Sequence, residues 1–309
     1  MEIQKRKEFG LGLMAMGVTL LIWASFFISL RASSQSALTI GDIALLRFLP
    51  AALVFGWLAL PKAKKIKQTP KRYLFAIAFG AGLPFLLLAA NGLRYAPVAD
   101  GASLIPGILP LFVTSIAAVC YRERISSMRK AGIMLIFLGI CLFLATSLLS
   151  GSSQIATGHA LLLMASFSWA WFTIAMRVSG LTPIEGGAVL SLSACTGLPV
   201  LYLLGFVDFN LLNAPSSEIA FHFMIQGIAA GLIANFTFGY AISRLGAEMS
   251  AALGSFTPVL AALIAVPMFA ESLNMNTILA MMLIVLGAIS ASEIITTKKV
   301  TSYIENPDV

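Results

Sequence analysis

Residues 103–124 read SLIPGILPLFVTSIAAVCYRER, and residues 251–272 read AALGSFTPVLAALIAVPMFAES. The two stretches align without a gap at a shift of 148 residues. Pro110 falls on Pro258 and Glu123 on Glu271. The same shift puts Asp100 on Glu248 and Gly139 on Gly287. A shift of 146 puts Gly12 on Gly158, Trp23 on Trp169, Ala24 on Ala170 and Arg31 on Arg177. Matched Leu or Ala means little in apolar sequence. Matched Pro, Trp, Glu and Gly mean duplication, and a fixed-period repeat has to be recognised before any fold is assigned.

Each copy contains five apolar runs of the length that crosses a hydrocarbon core, about 20 residues for about 30 Å. They lie near 11–30, 40–60, 73–93, 100–120 and 130–149, then near 158–177, 187–206, 220–240, 250–269 and 275–294. The connections are short, so no soluble domain is inserted. Membrane β-strands alternate apolar and polar residues, and these runs do not. Five is odd, so the second copy enters the bilayer from the side opposite to the first. The fold class is therefore an all-α integral membrane protein with ten transmembrane helices in two inverted five-helix repeats. The first repeat covers 1–149, the second 150–294, and 295–309 form a tail.

Composition agrees with lipid as the solvent. Of 309 residues, 59% are hydrophobic and 11% charged, with a mean hydropathy of +0.94. A soluble domain carries roughly 25% charged residues, and one this apolar could not cover its surface. The opening MEIQKRKEFG precedes apolar residues from Leu11 to Leu30. That run is nearer twenty residues than the about 7–15 of a signal peptide, and a second copy of it occurs deep in the chain. It reads as a retained helix.

The net charge of +7 is topological. If all ten runs span, one face holds Lys5, Arg6, Lys7, the cluster from Lys62 to Arg72, Arg122, Arg124, Arg129, Lys130, Arg177, Arg244, Lys298 and Lys299. The other face holds only Arg31 and Arg94. The positive-inside rule then puts both termini in the cytoplasm of a cell whose inner membrane holds the protein. The same distribution argues against a nucleic-acid partner. Cys120, Cys141 and Cys195 are odd in number and lack C-x-x-C spacing, so neither a disulfide nor a zinc site is expected. His159 and His222 start apolar runs and read as satisfied or interfacial residues. No metal and no cofactor is expected.

Inverted repeats place a transporter's binding site near the midplane, at the repeat interface. Pro106, Gly107 and Pro110, then Gly254 and Pro258, interrupt the fourth and ninth spans at corresponding positions. Proline frees carbonyls that neighbours, water or substrate must satisfy; packing kinks are the other reading. Trp23, Phe26 and Phe27 are matched by Trp169, Trp171 and Phe172. Trp away from the interfacial belts needs another reason, either a cavity wall or helix packing. Phe112 and Phe256 flank the prolines and join the candidate wall. Asn91 and Asn235 are amides in the third and eighth spans, each needing a substrate group or a neighbouring helix as partner.

Arg47 is the only charge well inside a span, about 10 Å from one end at about 1.5 Å per residue. Burying Arg at a helix centre costs roughly 2.5–3.5 kcal/mol on insertion scales, and at this depth it can snorkel. Asp42, five residues away, is turned from its face. Glu271 is the better candidate partner, and a substrate carboxylate would compete for the same guanidinium. The second copy has LSLSAC at 190–195 and no Arg there. Glu123 and Glu271 are expected at opposite faces, solvated, paired with loop arginines such as Arg124, or latching two gates.

The chain resembles the EamA branch of the drug/metabolite transporter superfamily over about 11–294. IWASFF at Trp23, LLRF at Arg47, ILPL at Pro110 and YRERI at Glu123 carry the resemblance in the first half. FSWAWF at Trp169, FTPVL at Pro258 and FAESL at Glu271 carry it in the second. It implies a ten-helix inner-membrane carrier whose characterised relatives export amino acids and related metabolites. Small multidrug relatives use an acid in the middle of span one for proton exchange, and none is present. Sugar-phosphate relatives carry basic residues in span ten, and none is present. The expectation is therefore a monomeric exporter of a small zwitterionic or partly apolar solute, with its site between spans 1, 3, 4, 6, 8 and 9. An importer of the same solutes is the alternative. An intramembrane enzyme would need H-E-x-x-H, G-x-S-x-G or a midspan acid pair, and a channel would need a polar filter or charged ring. None of these is visible.

Overall fold

A computed structural model describes residues 2–149, 152–245 and 247–292. Lys298 and Lys299 and the side chains of Lys5 and Glu248 lie outside the described residues. The described residues contain helices and no strand. In order they are α1 Arg6–Ser33, α2 Ile40–Ala59, α3 Lys71–Tyr95, α4 Val98–Tyr121 and α5 Ser127–Leu149. The second set is α6 Ser153–Ser179, α7 Pro183–Leu203, α8 Ser216–Leu245, α9 (Ala247–Gly254, then Thr257–Phe269) and α10 Met275–Ala291. α10 has 17 residues, the lower end of the roughly 17–25 that span a bilayer.

Cross-ties test the count of crossings. On the face of the 62–72 cluster, here the basic face, Arg244 pairs with Glu8 at 3.0 Å, Lys65 with Glu185 at 2.7 Å and Arg177 with Glu123 at 2.6 Å. On the opposite face Arg31 pairs with Glu271 at 3.2 Å. There the Asp42 carboxylate also accepts the backbone N–H groups of Asn210 and Leu211 at 3.0 and 3.1 Å. Every tie joins segments that ten alternating crossings put on one face. A miscount by one would have parted these partners by the width of the bilayer.

The duplication is written in the backbone. The second parts of α4 and α9, Leu109–Tyr121 and Thr257–Phe269, are each 13 residues long and begin 148 positions apart. Each has proline in its first turn, where a missing N–H costs nothing. Each ends in a left-handed residue, Arg122 at φ 54° and Ala270 at φ 52°. A π-helical stretch at Ser103–Gly107 holds Pro106 and widens α4 where the proline ring displaces the ladder. α2 and α7 both start with a capping box, Thr39 with Asp42 and Thr182 with Glu185. Asp42 holds the loop after α7, and Glu185 holds Lys65 in the segment after α2.

Helices of one repeat pack against those of the other: α2 on α7, α5 on α10, α1 on α8 and α3 on α6. The α5–α10 seam is closest at Gly132 and Gly287. A methyl on Gly132 would lie 2.5 Å from the Gly287 carbonyl oxygen, and one on Gly287 would lie 2.6 Å from that of Gly132. Small residues permit this approach in lipid, where dispersion and not water exclusion drives helix contact. Gly287→Leu is expected to lose most folded protein in size-exclusion and thermal-melt assays, since overpacking costs typically 1–3 kcal/mol before backbone clash is added. Gly10→Leu, with open space around it, is expected to behave as wild type. Large exposed side chains such as Trp57, Val119, Leu203 and Leu263 face the lipid.

Candidate functional site

A cavity of about 540 Å³ lies between the repeats. α1 lines it with Trp23, Phe26 and Phe27, α2 with Arg47, and α3 with Phe85. α4 contributes Pro106 and Pro110, α6 Trp169 and Phe172, α8 Asn235 and Phe238, and α9 Gly254. The lining extends to Arg177 and Ile242, at the ends of α6 and α8 on the basic face. Toward the other face it stops at Phe27 and Arg47. The cavity is thus blind at one end and open on the basic face.

Its wall is aromatic. The repeat-related Trp23 and Trp169 meet edge-on, with centroids 5.8 Å apart. Phe238 lies 5.0 Å from Trp23, and Phe85 lies 5.7 Å from Trp169. Phe26 stacks on Phe85 at 6.4 Å. These rings present apolar faces with electron-rich centres, suited to planar or apolar groups.

Arg47 stands at the blind end. Its Nη1 donates to Gln226 Oε1 at 3.0 Å, and its guanidinium lies 4.7 Å from the Phe26 ring centroid. Glu271, the expected partner, is instead held by Arg31. Glu271 follows α9, beyond the break that turns the helix, and Arg31 ends α1 beside it. Arg47 has no acidic partner among the described residues. Gln226 is itself fixed: its amide donates to Ser29 Oγ at 3.1 Å and to the Phe26 carbonyl at 3.3 Å. Ser29 in turn bonds His222 Nδ1 at 2.8 Å.

Asn235 borders the cavity, and its amide donates to the Gly231 carbonyl at 2.9 Å. Asn91 does not border it. That amide donates to the Leu87 carbonyl at 2.8 Å and lines a second cavity of about 380 Å³ near the opposite face. Among the described residues neither amide nitrogen bonds a neighbouring helix; each uses a carbonyl of its own. Phe112, Phe256 and Pro258 also stand outside the main cavity. Phe112 packs edge-on against Phe167 at 5.4 Å. Two residues beyond Pro110 is about 200° around a helix, which turns it away. Phe256 is partly exposed at the α9 break, and Pro258 is buried against Gly107 of α4. The two proline sites are alike in sequence and unlike in exposure to the cavity.

The acids at the two faces form a matched set. Arg31 with Glu271, and Arg177 with Glu123, are related by the duplication and sit on opposite faces. Glu123 pairs with Arg177 and not with the adjacent Arg124. The set is unequal. The Glu271 side chain is 7% exposed and that of Glu123 is 42%. Glu271 also accepts the Val98 N–H at 3.0 Å, and Arg31 donates to the Leu93 carbonyl at 2.8 Å. Beside them Asp100 and His159 are buried and bonded at 2.8 Å. This polar layer lies on the face opposite the basic one.

Gln226 escaped the sequence reading. It is a second amide in the eighth apolar run, nine residues before Asn235, and an amide among apolar residues was its signal. Phe85 and Phe238 had no such mark, because a cavity phenylalanine and a core phenylalanine look alike in sequence.

Ten helices in inverted repeats, around a cavity closed at one end, are the architecture of a membrane carrier. The sequence profile of the EamA-like transporter family matches residues 10–145 and again 156–292, so this chain belongs to the EamA-like transporter family, within the drug/metabolite transporter superfamily. A solved structure titled "Crystal structure of protein" is similar with a TM-score of 0.62 at 18% identity. The likeness covers 94% of this chain and 97% of the other, and at that identity it concerns fold alone. No curated protein matches the sequence.

Proposed function

We propose that the protein exports small metabolites, amino acids or related zwitterionic and partly apolar solutes, by alternating access between its two repeats. The observation that carries this reading is the blind aromatic cavity with repeat-related ion pairs at its two ends. An exporter must load on one face and release on the other, and equivalent latches at both faces suit that cycle. The site is Trp23, Phe27, Arg47, Pro110, Trp169, Phe172 and Asn235, and Glu123 and Glu271 act in the gates. Asn91, Phe112, Phe256 and Pro258 support the helices that move. The basic face is cytoplasmic, both termini lie there, and the membrane is the inner membrane. The repeats are 1–149 and 150–294, with 295–309 a cytoplasmic tail. The protein works as a monomer and catalyses no covalent step.

Counterflow tests this directly. Proteoliposomes loaded with an unlabelled amino acid are expected to accumulate its labelled form. No accumulation across a panel of amino acids and apolar drugs would overturn the reading. Orientation is checked separately with single cysteines in a background lacking Cys120, Cys141 and Cys195. A cysteine at Lys64 is expected to react only from the cytoplasm, and one at Ser152 only from outside.

A further inference from the structure

The blind end of the cavity holds Arg47, a cation with no acidic partner among the described residues. Among the described residues Arg47 gives a single hydrogen bond, to the neutral Gln226. A guanidinium has five N–H donors in a rigid fork matched to a carboxylate. The chain His222–Ser29–Gln226 fixes the acceptor and thereby the plane of that fork. Phe26, at 4.7 Å, supports one guanidinium face. An arginine placed only to reach headgroups would not need such a support.

The charge around it is one-sided. The cavity's described lining contains Arg47 and Arg177 and no Asp or Glu. Arg177 is engaged with Glu123 at the mouth. Asn235 and Thr173 are neutral, and the remaining wall is aromatic or aliphatic. A cationic solute would meet repulsion from Arg47 and no counter-charge. An anionic head on an apolar body would meet a charged fork at the blind end and aromatic rings along its length.

We infer that Arg47 anchors the carboxylate of an apolar or aromatic organic acid, and that the site requires this carboxylate and not an ammonium group. The inference deepens the transport reading and rests on it, naming what the same cavity selects. Gln226 is a positioning residue, acting through Arg47.

The test is equilibrium binding to purified protein in nanodiscs, read by fluorescence of the cavity tryptophans and by calorimetry. The probes share one body: 3-phenylpropanoate, 3-phenylpropanamide and 3-phenylpropylamine. Charge-assisted bonds to a fixed guanidinium favour the acid over the amide by about tenfold or more, and the amine is expected not to bind. Arg47→Gln is expected to bind acid and amide equally. Gln226→Leu is expected to weaken the acid but not the amide, a selectivity a packing defect would not produce. Equal binding of acid and amide to wild type, preference for the amine, or absence of binding would each overturn the inference. So would undiminished preference in Arg47→Gln. Because wild type alone gives the decisive comparison, a variant that fails to fold does not leave the question open. Selective binding without counterflow would retain the anchor and remove the transport reading.

Discussion

Trp169→Ala is expected to reduce transport at subsaturating substrate by about 10- to 150-fold, the rate equivalent of roughly 1.5–3 kcal/mol of aromatic burial lost to the substrate. The residue borders the cavity on one side, and on the other it meets Trp23 and Phe85 at 5.8 and 5.7 Å. It therefore contributes to the wall more than to a closed core, and α6 retains its buried stripe of Leu162, Ala165, Ala170 and Ile174. Folded protein should be recovered at near wild-type yield, measured by size exclusion beside the transport assay. Trp171→Ala is the control. Trp171 is 36% exposed and packs edge-on to Phe167, outside the cavity lining, so its loss should leave transport within about twofold, as expected of a lipid-facing surface position. Wild-type rates in Trp169→Ala would remove that ring from the substrate path.

Reversing one half of the buried Arg31–Glu271 pair, a gate in the proposed cycle, should have the second large effect. Arg31→Glu would set a carboxylate beside Glu271, with Asp100 and the Val98 amide already there. Like charges in a site this dry repel strongly. The closed end is expected to open, and transport to fall by about tenfold or more, because a carrier held on one side cannot complete its cycle. Cysteine reactivity at Ser33 from the opposite face should rise. The exchange Arg31→Glu with Glu271→Arg is expected to restore much of the rate, which a simple packing defect would not allow. Arg177→Glu should do less, since its pair with Glu123 is about half exposed and screened.

The same pair should respond to pH. Burial pushes the Glu271 carboxyl above its ordinary value; Asp100 adds to this, while the Val98 amide and Arg31 oppose it. A carboxyl raised in one state binds its proton more readily in that state. Lowering the pH through the raised value therefore favours the closed end, and raising it favours opening. Glu271→Gln should flatten the pH dependence of Ser33 cysteine reactivity.

How much was legible follows from the kind of signal each feature leaves. Crossing a bilayer demands an uninterrupted apolar run, and ten such runs can be counted in the letters. Inversion follows from parity alone. The duplication survives because Pro, Trp, Gly and Glu are costly to place by chance in apolar sequence. The cap pair Thr39–Asp42 and Thr182–Glu185, and the breaks at Pro110 and Pro258, are local chemistry and can be read locally.

Partnerships are another matter. Nothing local says that Arg31, and not Arg47, meets Glu271, or that Gln226 and Ser29 converge on the guanidinium from α8 and α1. These contacts span about two hundred residues of chain. They depend on how the helices rotate about their axes and where the breaks redirect them. A 100° turn per residue decides whether a phenylalanine faces lipid, core or cavity, and apolar runs on all sides carry no stripe to set that angle. Span number, inversion and cap sites are properties of short strings. The cavity wall, the Arg47 cation with no acid beside it among the described residues, and the unequal ion pairs exist only once ten helices have packed.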